Sequence, residues 1–147
     1  HSAKDIITRP FLLCAIDSSP ENDVPPMVLK QCESSIANCR TYLDASTRRL
    51  VGPSFCAEII IHTYVYEMLY TWTQLMFDSL RMFSSILLLT LGSVCPALAH
   101  LVPDIDTLQK NTIETIERFA VEGSLMQEIH GIIVLLHSKT RVLRRAM

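Results

Sequence analysis

Glu58 and His62 stand four residues apart in "AEIIIH", close enough on a helix to share one face and one cation. A metal centre needs three or four convergent ligands, so this pair reads as two polar groups satisfied locally on a buried helix. His130 and His137 follow two helical turns apart in "EIHGIIVLLHSK", a heptad spacing that belongs to packing more than to chemistry. The chain holds no phosphate-binding Gly loop, no Gly-x-Ser-x-Gly elbow and no His-Glu-x-x-His signature. The expectation is a protein that is not an enzyme and that holds no metal or cofactor of its own.

The elements that would carry these residues are helices. Apolar residues make up 49% of the 147 positions and Gly occurs only 4 times, a globular and helical balance that one core can hold together. The net charge of −2 gives no general attraction for nucleic acid or for an anionic membrane. Cys14, Cys32, Cys39, Cys56 and Cys95 form an odd, scattered set, which favours reduced thiols in an intracellular compartment over a disulfide framework. "HSAKD" at the start shows neither an initiator Met nor a leader, and reads as the edge of a segment excised from a longer protein.

Proline and glycine divide the chain, taken as one domain over 1–147. The stretch from Asp17 to Pro26, rich in Pro, Ser and Asp, is a loop over 17–26, followed by a helix that starts at Pro26 and runs to Ser46. Val28, Cys32, Ser35, Ile36, Cys39, Tyr42 and Leu43 form its inner face, while Lys30, Glu33, Asn38, Arg40 and Asp44 form its wet one. "STRRLVGPS" is the connection, 46–54. Phe55 to Leu80 is apolar on nearly every side, so it must be surrounded by other helices or by lipid, and it reads as the central helix. The segment from Arg81 continues that character to a break or kink at Gly92 and Pro96. An amphipathic helix follows through Ile105, Leu108, Ile113, Ile116, Phe119 and Ala120, and a last one runs from the Ser124 cap to a basic terminal turn that suits the helix dipole. The expected fold is all-α, a bundle of about six helices around one all-round apolar helix.

Between Arg81 and Asp104 no residue carries a charge, a length that could cross a bilayer, but Ser84, Ser85, Thr90, Ser93, Pro96 and His100 interrupt it and no basic cluster flanks it. A buried helix followed by a kinked connection is the better reading. In "DIITRPFLL" an Arg-Pro pair interrupts an apolar run. Inside a helix such a proline costs about 3 kcal/mol, so the segment reads as a helix end, kinked and docked on the bundle.

Cys32 and Cys39 have the spacing of a pair inside a fungal binuclear zinc cluster, but such a cluster needs six close cysteines among basic residues, and packing is the better account of this pair. The same kind of protein returns through "TRPFLL". It resembles the "HRPFLL" element that closes a helix in the fungal-specific transcription factor domain, the middle regulatory region of zinc-cluster transcription factors. A variable loop, a Cys-containing helix and a long apolar helix then follow in the order seen in that family; Thr8 stands where His is frequent. The resemblance covers the later part of the regulatory region only.

What the resemblance implies is a nuclear regulatory module that restrains or releases a transcriptional activation segment in response to a small molecule or a partner. DNA binding, and the zinc it needs, would belong to an upstream domain of the full-length protein. Arg9 would supply hydrogen bonds at the helix end while Pro10 turns Phe11 and Leu12 into the core. Tyr64, Tyr66, Met68, Tyr70, Trp72 and Met76 on the central helix could line an effector or partner pocket, although at helical spacing such residues are more often plain core. The implied partners are a small-molecule effector, a coregulator protein or a second copy of the chain, with no nucleic acid and no membrane. The same bundle physics also suits an intracellular protein–protein interaction module outside transcription, or a small membrane-associated helical protein. The first segment and Phe55–Leu80 carry more apolar surface than the remaining helices can cover, so self-pairing or an exposed apolar patch is expected.

Overall fold

Pro26 opens a helix because a missing N–H costs nothing at the first helical position, where that donor would have no intrahelical partner. The computed structural model describes residues 2–17, 24–52 and 68–146, with the side chains of 2–6, 8, 9 and 68–72 outside that description. Among the described residues the fold is all-α, with five α-helices rather than six. They are α1 (Ser2–Asp17), α2 (Pro26–Val51), α3 (Met68–Val94), α4 (Ile105–Glu117) and α5 (Leu125–Ala146), with a single 3₁₀ turn at Ala99–Leu101. The Glu58/His62 pair lies outside the described residues.

The missing boundary is at Leu80/Arg81. No breaker stands there, and α3 runs unbroken from Met68 to Val94. Arg81 is accommodated by laying its guanidinium over the Tyr42 ring, 4.3 Å from the centroid. Breakage comes where Pro96 forbids continuation, through a turn into the 3₁₀ segment.

α3 is the central element, packing against α1, α2, α4, α5 and the 3₁₀ turn. Leu75, Met82, Ile86 and Leu89 give it a buried stripe at steps of seven, four and three. The apolar surface does not close all round it: Met76, Phe77, Leu80 and Leu91 are exposed. By length and composition alone, Thr73–Val94 could cross a membrane. Ser79, Ser85, Thr90 and Ser93 sit in its buried face, and the Thr90 hydroxyl donates to the Ile86 carbonyl at 2.7 Å. Ser93 does the same to Thr90 O. Hydroxyls that return their proton to their own helix leave no unpaired O–H donor in the core.

α2 shows the inner face read from its sequence, with Cys32, Ser35, Ile36, Cys39 and Leu43 buried. It does not stop at Ser46. Buried Ser46 and Leu50 hold the next turn against the bundle, Arg48 pairs with Asp44 across one turn at 2.7 Å, and the Gly52 N–H closes the end on Arg48 O. Local helix pairing and the burial of Leu50 outweigh the loop chemistry of "STRRLVG".

α1 also differs from the expectation. Pro10 lies inside it, not at its end, and the helix continues to Asp17. Proline withdraws one N–H, but Pro10 is exposed, where water can take the carbonyl left behind. Leu12 at 0% and Ala15 at 2% exposure then anchor the remaining turns.

Candidate functional site

The Phe11–Asp17 half of α1 is tied to the bundle by thiols. Cys32 of α2 donates from Sγ to the Phe11 carbonyl at 3.4 Å. Cys95, just past α3, donates to the Ala15 carbonyl at 3.7 Å. The second contact matters more, because the last four carbonyls of a helix have no partner within it. Burial first, then the neighbouring Cys95, Cys14 and Glu33, pushes the Cys32 thiol up and keeps it a donor. No disulfide joins the described cysteines.

Within the Arg-Pro motif, Leu12 is fully buried and Phe11 packs against the core. Pro10 faces solvent, and the Arg9 side chain lies outside the described residues. The motif is thus seated through Phe11 and Leu12. Of the aromatic and methionine set read from the central helix, Tyr64 and Tyr66 lie outside the described residues, as do the side chains of Met68, Tyr70 and Trp72. Met76 is 41% exposed beside Phe77 at 60%, on the open side of α3.

Polar chemistry collects at three other places. Between α2 and α3, Asp78 accepts from Arg49 Nη1 at 3.1 Å and from the Tyr42 hydroxyl at 3.4 Å. Burial, ahead of the Asp78 charge, pushes the Tyr42 phenol up. Arg40 of α2 pairs with Asp104 ahead of α4. At the far end of α5, Pro103, Asp106, Arg141, Arg144 and Arg145 line a shallow cleft of about 430 Å³. Arg144 donates there to the Pro103 carbonyl at 3.5 Å. His137 Nε2 stands 3.6 Å from Asp106 Oδ1, too far for a hydrogen bond. Among the described residues no group of three or more His, Cys, Asp or Glu side chains could hold a metal ion.

Sequence reasoning missed a polar cluster in the centre of the core. Gln109 of α4 is fully buried and donates from Nε2 to the hydroxyls of Thr90 in α3, at 2.8 Å, and Thr140 in α5, at 3.3 Å. Each hydroxyl passes its own proton to a carbonyl of its own helix, Thr90 to Ile86 and Thr140 to Leu136. One amide therefore joins three helices. The signal was present in the spacing: Ile105, Gln109, Thr112 and Ile116 recur at four, three and four residues, and all are buried. Leu108 and Ile113, expected on the inner face, are only half-buried at its edges.

No family model matches the chain, and comparison with curated proteins and with solved structures returns no match.

Proposed function

We propose that this chain is the later part of a fungal-specific transcription factor domain, a nuclear helical module that controls a transcriptional activation segment through effector or partner binding. The observation that carries the reading is the seating of the Arg-Pro-Phe-Leu-Leu segment. Leu12 is fully buried, and the carbonyls of Phe11 and Ala15 accept from the thiols of Cys32 in α2 and of Cys95 just past α3. The entry of Phe11 and Leu12 into the core is what the resemblance implies for this segment, and it supports the reading.

The mechanism this supports is a population shift. α1 meets both α2 and the central α3, so a ligand or partner that prefers one seating of α1 moves the whole packing equilibrium by its difference in affinity for the two states. DNA reading and zinc binding are assigned to an upstream domain. Reading the parent transcript upstream of His1 tests the proposal. Six closely spaced cysteines interleaved with Lys and Arg are expected in frame, and a complete parent without them would overturn it.

A further inference from the structure

The outward side of α5 carries a second apolar stripe that the bundle does not cover. Leu125, Ile132, Leu135 and Val142 are 41%, 46%, 58% and 65% exposed. Their steps of seven, three and seven are those of a heptad seam, distinct from the buried face of Met126, Ile129, Ile133 and Thr140. Two seam positions are charged rather than apolar: Glu128 and Lys139, both exposed.

We propose that α5 pairs antiparallel with α5 of a second copy of this chain, about a two-fold axis that passes between Ile133 and Val134. In that register Leu125 meets the partner's Val142, Ile132 meets the partner's Leu135, and Glu128 meets the partner's Lys139. The two charges that would spoil an apolar seam thereby cancel each other, twice per dimer. A parallel pair would set Glu128 against Glu128 and Lys139 against Lys139, so the charges select the antiparallel arrangement. Gly131 and Ser138 flank the seam on one side, and a Cβ built at Gly131 would meet nothing within 4 Å. Small residues there let the two backbones approach. Leu143, 54% exposed, extends the apolar surface on the other side. At 1.5 Å per residue the 22-residue helix offers a seam about 33 Å long. This pairing does not depend on the transcriptional reading.

Sedimentation equilibrium on the full chain tests it, with circular dichroism to confirm that each variant keeps its helix content. The wild-type chain is expected to dimerise. Glu128→Lys and Lys139→Glu, each replacing two attractive contacts by two repulsive ones, weaken association on the order of tenfold or more. The double variant, and an equimolar mixture of the two single variants, regain it, because opposite charges face each other again. A wild-type chain that stays monomeric across the concentration series would overturn the proposal. So would single variants that associate as tightly as wild type, or a swap that fails to rescue.

Discussion

Gln109 donates to Thr90 across the α3–α4 contact at 2.8 Å, and its amide oxygen Oε1, equally buried, finds no donor among the described residues. The amide is therefore half satisfied. Its donor side is fully used on two hydroxyls while its acceptor side bears the cost of desolvation, about 1–3 kcal/mol for such a group.

That imbalance gives a prediction of an unusually small cost for replacing a fully buried core residue. Gln109→Met keeps the volume and removes the unpaired oxygen, while Thr90 and Thr140 retain carbonyl acceptors for their own protons. Its cost should stay within about 1 kcal/mol. Gln109→Ala opens a cavity and should cost about 2–4 kcal/mol. Thr90→Val should cost about 1–3 kcal/mol by leaving one amide N–H without an acceptor. Urea midpoints of the three variants check the order; a Met variant as unstable as the Ala variant would show that the amide is a net stabiliser.

The seating of α1 rests on one side chain more than its neighbour. Leu12 is fully buried and Leu13 is 57% exposed. Leu12→Ala should cost on the order of 3 kcal/mol and Leu13→Ala no more than about 0.5 kcal/mol. Equal losses for the two in chemical unfolding would contradict the placement.

Stability should fall in mild alkali. The Cys32 thiol is raised above its ordinary 9.0 by burial, so below that pH both folded and unfolded chains hold the proton and the group contributes no slope. As pH rises through 9.0 the unfolded chain releases its proton first, binds fewer protons than the folded one, and gains in stability relative to it. Tyr42, raised above 10.0, adds a slope of the same sign at higher pH. Cys32→Ala should flatten the decline that begins near pH 9, measured by thermal unfolding across the alkaline range. An unchanged slope in that variant would contradict the assignment.

How much of this could be read beforehand depends on what each residue was competing against. The inner face of α2 and the start at Pro26 were legible because periodicity and proline chemistry agree there. The run-on of α2 past Ser46 was not, since Leu50 is held by burial that no local signal announces. Pro10 misled for the same reason: the local cost argues for an end, and packing of Leu12 and Ala15 overrides it. The buried cluster on α4 was hidden because Gln109, Thr112 and Thr115 read as a polar face until the four-three-four spacing with Ile105 and Ile116 is counted. The ligand-facing role given to Tyr64, Tyr66, Met68, Tyr70 and Trp72 concerns side chains outside the described residues.

We propose that the packing of this bundle governs an activation segment, and a reporter assay tests it. The chain is placed between an unrelated DNA-binding domain and an activation segment, and reporter output is read at matched protein levels. Wild type is expected to hold output low, Leu13→Ala to leave it low, and Leu12→Ala to raise it several-fold by loosening α1. Output that is the same for wild type, for Leu12→Ala and for an unrelated helical bundle of equal length would contradict the claim.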